Sequence, residues 1–196
     1  MRRVTVAAER LERWLAGFEE RHGGVTLTPG PDTVELLGAD GDRAWIDVPF
    51  PPLTGDLVEH VRRPRRVGVL LVRRGGFAAG VFDGTRLLAS KVGSSYVQGT
   101  TKAGGWSQQR YARRRANQAS AAFAEAADAA VRVLARERLD ALVAGGDRDA
   151  VRAVLADRRL AGLEPSGPWL EVKDPKLKVL AATPEQFRAV PIRLEP

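Results

Sequence analysis

Apolar residues recur at helical spacing near the start of the chain and at extended spacing directly afterwards. The segment Val6–Arg21 is predicted to be an amphipathic helix that ends at Gly23–Gly24. Its apolar positions are Leu11, Trp14, Leu15 and Phe18. Residues 25–52 predict three short strands separated by the turns PGPD and GADGD. Residues 1–64, which end in a proline-rich and basic linker, are therefore predicted to form a small N-terminal α+β lobe.

A longer continuous apolar run follows the linker. Val67–Val72 is wholly apolar apart from one glycine, which predicts a buried strand, and residues 77–93 predict a hairpin around the turn Asp83–Gly84. A long helix is predicted over Gln108–Leu139. Its apolar stripe comprises Ala116, Ala119, Phe123, Ala127, Ala130 and Leu134. The alanines in this stripe favour close packing of the helix against a sheet.

The remainder of the chain alternates between short strands and helices. The pattern predicts a strand, a helix capped by Asp147, a strand at 168–173, a short helix at 184–190 and a closing strand at 191–196. Together with the apolar run, these elements predict a second domain over residues 65–196. The expected fold class is α/β with α+β layering, in which helices pack on a mixed β-sheet.

The composition of the 196 residues excludes several kinds of chemistry. The chain has no cysteine, which removes disulfides, thiolate metal sites and cysteine nucleophiles together. Neither His22 nor His60 lies in a metal-ligand spacing, so no metal or other cofactor is expected. Arg2 and Arg3 precede no apolar segment of the kind found in signal peptides, and no apolar run approaches the roughly 18 residues that span a bilayer. We expect a cytoplasmic protein, without a membrane partner and most simply a monomer.

The positive charge is concentrated in the middle third of the chain. From Arg62 to Arg115 there are thirteen basic residues and a single acidic one, Asp83, whereas the rest of the chain holds 18 basic and 23 acidic residues. A net +12 block therefore sits within a chain whose total is only +7. Such asymmetry indicates a polyanionic partner, and nucleic acid is favoured over a merely solvated basic face.

The segment TKAGGWSQQRYARRR, residues 101–115, combines an uncharged loop with an arginine-rich helix start. Gly104 and Gly105 give the backbone freedom to enter a narrow space. Gln108 and Gln109 cannot act as bases, but an amide can position water or stabilise a developing oxyanion. Taken alone, two glycines followed by glutamine are weak evidence, and a loop that only turns the chain shows the same pattern.

The arginines at the start of this helix are unfavourable for helix stability alone. The first turns carry Arg110, Arg113, Arg114 and Arg115, and the first acid is Glu125. Helix N-termini bear partial positive charge, so bases destabilise them unless an anion binds there. Docked phosphates would resolve the conflict, because they accept contacts from both the arginines and the exposed amides.

The stretch GGWSQQRYARRR resembles the Gly-Gly-Gln loop and following arginine-rich helix of eukaryotic and archaeal class-1 peptide release factors. In those factors glutamine directly follows the two glycines, whereas here that position is Trp106. This departure excludes an ordinary termination factor. The loop is instead similar to that of the Vms-like release-factor branch, in which the glutamine is displaced and follows Gly and Ser. The resemblance to actinobacterial members, which look like stand-alone peptidyl-tRNA hydrolases, is strongest over residues 67–84 and 90–110 and weakest over 1–64.

The resemblance implies a catalytic role for the loop in ribosome rescue. The domain would enter the peptidyl-transferase centre of a large ribosomal subunit that holds a stalled peptidyl-tRNA. Gly104 and Gly105 would let the loop reach the CCA end of the tRNA. Gln108, which follows Ser107, would position the water that attacks the ester, and Gln109 remains an alternative because the inserted residue leaves the register open by one.

The resemblance also implies a set of RNA contacts. The residues that would contact ribosomal RNA or tRNA are Lys102, Trp106, Arg110, Arg113, Arg114 and Arg115, together with Arg73 and Arg74. Trp106 could equally anchor the loop by packing rather than by stacking on a base. The surrounding RNA would supply much of the electrostatic environment, which accounts for a loop that contains no base of its own.

Other functions remain open from the residues alone. A non-enzymatic RNA-binding module could stack bases on Trp106, Tyr96 and Tyr111 while arginines bind phosphates. A two-metal nuclease would need clustered carboxylates, whereas Asp83 stands alone among basic residues. A serine hydrolase is disfavoured because the chain has no G-x-S-x-G motif.

Overall fold

The computed structural model describes residues 1–73, 75–94 and 107–195, and between 107 and 119 it describes the backbone. The strands are β1 (Arg2–Val6), β2 (Val25–Pro29), β3 (Thr33–Gly38), β4 (Arg43–Asp47), β5 (Arg66–Arg73), β6 (Gly76–Asp83), β7 (Arg86–Ser94), β8 (Ala141–Gly146) and β9 (Val190–Leu194). The helices are α1 (Leu11–Arg21), α2 (Leu57–Arg62), α3 (Ser107–Leu134), α4 (Arg148–Leu155), α5 (Leu177–Ala181) and α6 (Pro184–Phe187). The chain divides into two compact units, the first formed by residues 1–64 with 184–196 and the second by residues 65–183.

The first unit is an antiparallel sheet covered by α1. The strand order is β1-β9-β4-β3-β2. Leu11 and Phe18 of α1 are buried in one core with Leu36, Ile46 and Ile192 of the sheet. The alternation of buried and exposed residues along β3 and β4 matches a sheet that is covered on one face.

The closing strand completes the first unit rather than the second. Sequence pattern places it in a domain of residues 65–196, whereas the structure places residues 184–196 in the first unit. Ile192 lies opposite Val4 of β1 and Ile46 of β4, so β9 fills the gap between these two strands. The reason is burial, because Val190 and Ile192 are both fully buried in the first core.

Several elements of the first unit differ from the sequence-based prediction. The predicted helix over Val6–Arg21 is a short 3-10 turn, Ala8–Arg10, followed by α1, and β1 precedes it. The segment interpreted as part of a linker contains α2. Asp56 caps this helix, since its carboxylate accepts hydrogen bonds from the amides of Val58 at 2.8 Å and Glu59 at 3.0 Å.

The second unit is built on a four-stranded mixed sheet. The strand order is β7-β6-β5-β8, in which β5 and β8 are parallel and the other neighbours are antiparallel. Helices α3 and α4 share one core with the face of the sheet that carries Leu70 and Val72. On the other face, Leu180 of α5 lies over Gly80. A Cβ atom added at Gly80 would lie 3.0 Å from a Leu180 methyl carbon. The predicted fold class, α/β with α+β layers and a mixed sheet, is confirmed.

Among the other elements of the second unit, the sequence predicts the cap of α4 correctly and the strand at 168–173 incorrectly. Asp147 caps α4 as predicted, because its carboxylate accepts from the amides of Asp149 at 3.1 Å and Ala150 at 3.2 Å. The strand predicted at 168–173 forms a single isolated parallel bridge to β8, at Leu170, and a second isolated bridge lies just before it at Pro165. Pro165 and Pro168 have no amide N–H, so a regular ladder cannot extend through this segment. None of the described helices is long and apolar enough to cross a membrane.

An exposed charge cluster braces α3 against the short 3-10 helix Arg158–Leu160. The Arg159 guanidinium lies 2.7 Å from both the Asp128 and the Asp157 carboxylates. Hydrogen bonds from the Arg159 side chain, and then from its backbone amide, lower the pKa of Asp157 from 3.8 to about 2. The folded state therefore favours the ionised carboxylate.

We expect the interaction between Arg159 and Asp157 to stabilise the folded state by an amount that depends on pH. Because the folded pKa of Asp157 is depressed, its contribution is present above pH 4 or so and is lost as the pH falls towards about 2. Chemical denaturation of the intact protein and of Asp157→Asn at pH 7, 4 and 2.5 measures this term. The two proteins should converge in stability as the pH falls, and a constant difference across the series would contradict the assignment.

Candidate functional site

Three strands of the second sheet end on the same side as the candidate loop. Because β5 and β8 are parallel and β6 is antiparallel to both β5 and β7, the carboxyl ends of β5, β7 and β8 coincide. Ser94 of β7 lies opposite Gly76, which lies opposite Arg73, and Val72 lies opposite Gly146 of β8. We call this side the carboxyl end of the sheet. In open α/β sheets, ligands bind outside the carboxyl ends of the strands.

Of the sequence-predicted residues, Arg73 lies at this carboxyl end, and the candidate loop follows Ser94, the last residue of β7. Arg73 is the last residue of β5 and is exposed. The backbone of Ser107, Gln108, Gln109, Arg110, Arg113, Arg114 and Arg115 forms the first turns of α3, whereas the side chains of these residues lie outside the described part of the structure. Lys102, Gly104, Gly105, Trp106 and Arg74 also lie outside the described residues. Both ends of the loop are nevertheless located, one at Ser94 and the other at Ser107.

Two glycines at the end of the strand pair β6–β7 lie where their neighbours leave no room for a side chain. Gly93 lies opposite Phe77, and a Cβ atom added at Gly93 would lie only 2.3 Å from the nearest carbon of the Phe77 ring. A Cβ added at Gly76 would lie 2.6 Å from the Gly93 carbonyl oxygen. The buried Phe77 ring therefore packs directly on the backbone of β7 at Gly93, one residue before the strand ends.

The second half of α3 anchors the helix on the sheet. Ala127, Ala130 and Leu134 of the predicted stripe are buried in the core with strand residues such as Ala79, and Ala126 and Ala129 are buried beside them. The side chains of Ala116 and Ala119 lie outside the described part of the structure. The 28 residues of α3 span about 42 Å, whereas a strand of eight residues spans about 27 Å. A helix of this length can be held at one end while its arginine-bearing turns continue beyond the strands.

The start of α3 differs electrostatically from the starts of α2 and α4. Each of those helices has an aspartate cap and an acid in its first turn, Glu59 in α2 and Asp149 in α4. The first turn of α3 contains no acid and does contain Arg110. Unlike α2 and α4, α3 therefore has no acid in its first turn to offset the unfavourable interaction of Arg110 with the helix dipole.

Basic residues are neutralised at the opposite end of the sheet but not at the carboxyl end. At the opposite end the Arg66 guanidinium lies 2.9 Å from the Glu137 carboxylate, and Arg86 lies 3.9 Å from Asp83. At the carboxyl end, neither Arg73 nor Arg148 pairs with a carboxylate among the described residues. Among the described residues, the carboxyl end of the sheet thus presents two arginines that have no carboxylate partner.

A family model described as the Actinobacteria/chloroflexi VLRF1 release factor matches residues 65–193. The chain belongs to this family. The match covers the whole second unit, including β7, the candidate loop and α3, and it confirms the resemblance identified from the loop and the arginine-rich helix. The VLRF1 match continues into β9, which is part of the first unit.

The other comparisons add little to the VLRF1 assignment. No curated protein matches the chain. Among solved structures, the crystal structure of Bst-RNase HIII in complex with Mn2+ has 11% sequence identity and covers 95% of this chain and 79% of its own, with a TM-score of 0.29. At that TM-score the similarity supports no conclusion about fold or function.

Sequence reasoning missed one interaction at the carboxyl end of the VLRF1 sheet. The Arg148 guanidinium lies over the Trp169 ring, 4.3 Å from its centroid. The Trp169 Nε1–H donates a hydrogen bond to the Gly146 carbonyl at 3.3 Å. The two residues are 21 positions apart, and no local pattern connects them. The fold brings them together because residues 165–170 run alongside β8.

A second side-chain cluster lies outside the region that matches the VLRF1 family. His22 Nδ1 is 2.8 Å from an Asp40 carboxylate oxygen and 3.5 Å from one of Asp42. Within the described residues, this is the one group of three side chains of metal-ligating type that come together. The hydrogen bond with His22 lowers the pKa of Asp40, and the contact ties the β3–β4 turn to the end of α1.

Proposed function

We propose that this chain is a peptidyl-tRNA hydrolase that acts in ribosome rescue. In this proposal it hydrolyses the ester between a stalled nascent peptide and tRNA, with the Gly-Gly-x-Ser-Gln loop inserted in the peptidyl-transferase centre of the large subunit. The observation that carries the proposal is the placement of this loop. Within the VLRF1 region it leaves the carboxyl end of β7 and runs directly into a helix whose first turn has arginine and no acid.

The chemistry requires water to attack the ester carbonyl carbon, so that the bond to the tRNA 3′ oxygen breaks and that oxygen takes a proton. A glutamine amide cannot remove the proton from water, but it can orient the water or donate to the oxyanion. Gln108 is our candidate for this role. Because α3 begins at Ser107, Gln108 and Gln109 occupy consecutive helical positions about 100° apart in direction. They are therefore not interchangeable, and a single glutamine is expected to serve the reaction.

The arginines have the complementary role of holding the loop among phosphates. Arg113 and Arg114 lie within the first two turns of α3, whose exposed amides and dipole also favour an anion. RNA phosphates would neutralise a helix start that the protein itself leaves without acids. Acting on the ribosome, the protein would work in the cytoplasm and needs no second copy to complete the loop.

Charge reversal in the first turns of α3 tests this RNA contact. We expect Arg113→Glu with Arg114→Glu to weaken binding to purified large subunits that carry peptidyl-tRNA, and to lower the slope of log affinity against log salt by about two. The matched control is Arg132→Glu with Arg136→Glu, which makes the same change of net charge near the other end of the helix, where Arg132 is exposed. Equal losses in both double variants would show that only net charge matters.

A non-enzymatic RNA-binding module is the second candidate. The uncompensated arginines at the carboxyl end of the sheet favour RNA binding whether or not the loop is catalytic. Release of nascent peptide from stalled complexes by the intact protein distinguishes the two functions. Tight, salt-sensitive binding without release would support the binding module and overturn the hydrolase.

A further inference from the structure

Arg148 is held in a fixed orientation at the carboxyl end of the second sheet. Its guanidinium lies 4.3 Å from the centroid of the Trp169 ring, which is half-buried and packs against the core beneath α3 and α4. The Trp169 Nε1–H is bonded to the Gly146 carbonyl. A guanidinium over an aromatic face leaves its edge N–H groups free to donate, because the ring contacts the planar face.

Arg73 approaches the same backbone from the neighbouring strand. Val72 lies opposite Gly146, and its carbonyl accepts a hydrogen bond from the Asp147 amide at 2.8 Å. The Arg73 Cδ atom lies 3.1 Å from the position that a Cβ atom of Gly146 would occupy. The Arg73 side chain therefore lies next to Gly146, and the Arg148 side chain contacts the ring of Trp169, which is hydrogen-bonded to the same residue.

The arginines near α4 differ in whether carboxylates neutralise them. Arg152 lies 2.9 Å from Asp149, and Arg159 is held between Asp128 and Asp157. Arg148 contacts an aromatic ring instead, and the Asp147 carboxylate beside it is occupied in capping α4. Of these three arginines, only the one that faces the carboxyl end keeps its charge available for an external anion.

We infer that Arg73 and Arg148, the latter oriented by Trp169, form a phosphate-binding pair for RNA that is separate from the arginines of α3. Planar guanidinium groups bind phosphate oxygens through paired N–H donors, and an orientation fixed in advance reduces the entropy lost on binding. The inference rests on the proposed function, in which the RNA belongs to the large subunit and its peptidyl-tRNA.

The position of the pair indicates which part of the RNA it would contact. Three strand spacings separate β8 from β7, about 14 Å. The loop leaves from Ser94 of β7, so Arg73 and Arg148 lie to one side of it on the same end of the sheet. A phosphate bound there would belong to a nucleotide that flanks the reacting CCA end, and the contact would orient the unit rather than take part in the reaction.

Single alanine variants test the pair with a matched control on the same helix. We expect Arg148→Ala and Arg73→Ala each to weaken binding to purified large subunits carrying peptidyl-tRNA by about tenfold, and to lower the salt slope by about one. Arg152→Ala removes the same charge from α4, but its guanidinium already pairs with Asp149, so binding should be unchanged. Arg148→Lys keeps the charge without the planar group, and it should recover only part of the loss.

The readouts separate failure of this inference from failure of the proposed function. At saturating protein, the control Arg152→Ala should release peptide at the rate of the intact protein, and release by Arg148→Ala is measured beside it. If Arg148→Ala binds as well as Arg152→Ala, the inference is wrong even when intact protein releases peptide. If intact protein binds but never releases peptide, the hydrolase proposal fails while the binding comparison still decides the role of Arg148. Because Arg148 is exposed, we expect its variants to have the melting temperature of the intact protein. Misfolding would then be excluded as the cause of weaker binding.

Discussion

We expect Gln108→Ala to reduce the rate of peptide release from stalled large-subunit complexes by about 100-fold or more, since removing one preorganised amide donor from an oxyanion site has an effect of that size. Binding should be unchanged, because the substitution removes no charge. The measurement is single-turnover release of nascent chain at saturating protein, with affinity measured in parallel. A rate effect without an affinity effect identifies an interaction made in the transition state.

Gln109→Ala is the matched control for this prediction, because it makes the same chemical change one position along α3. The two positions point about 100° apart, so the larger defect identifies the glutamine that faces the ester. A defect confined to Gln109→Ala would identify Gln109, rather than Gln108, as the glutamine that serves the reaction, and the proposed mechanism would be unchanged. Full release by both variants would exclude a glutamine-dependent reaction.

The largest expected effect on stability is that of Gly146→Ala. Gly146 has φ of +93°, and a Cβ atom there would lie 2.3 Å from the Val72 carbonyl oxygen. That oxygen accepts the Asp147 amide, so relief of the clash would also disturb the hydrogen bond that ties the N-cap of α4 to β5. We expect a loss of about 3 kcal/mol in the free energy of unfolding from backbone strain and the clash together, which corresponds to a melting temperature lower by about 6–12 °C.

Gly162→Ala isolates the contribution of the clash. Gly162 has a similar φ of +88°, but no atom lies within 4 Å of the position of its added Cβ. This variant should lose only about 1–2 kcal/mol, the cost of the left-handed conformation itself. Calorimetric melting of both variants measures the difference. Equal destabilisation would show that β8 shifts enough to accommodate the methyl group.

The sequence predicts the second unit better than the first because its elements have strong internal signals. The apolar run at Val67–Val72 and the long alanine-bearing helix need no partner to be recognised. Strand β1 is different, since its residues Arg2–Val6 form a strand only by pairing with β9 at the far end of the chain. Helix α2 was missed because proline and arginine around it obscure the Asp56 cap.

The candidate site divides in the same way. The charge block and the loop are contiguous, so the sequence predicts both the polyanionic partner and the position of the glutamines. The contact between Arg148 and Trp169 depends on the chain returning alongside β8, and proline-interrupted bridges of that kind have no periodic pattern. Electrostatic contrast between the two ends of the sheet likewise needs the pairing of Arg66 with Glu137, 71 residues away.

The placement of β9 has a consequence for the order in which the chain folds during synthesis. Residues 65–183 are continuous, so the second unit can acquire its full sheet as soon as they have left the ribosome. The first sheet must wait, because β9 lies between β1 and β4 and supplies the pairing of β1. Until β9 emerges, β1 has no partner strand and β4 is paired on one side only, with β3. The sheet that contains β1 is therefore completed after the sheet of the second unit.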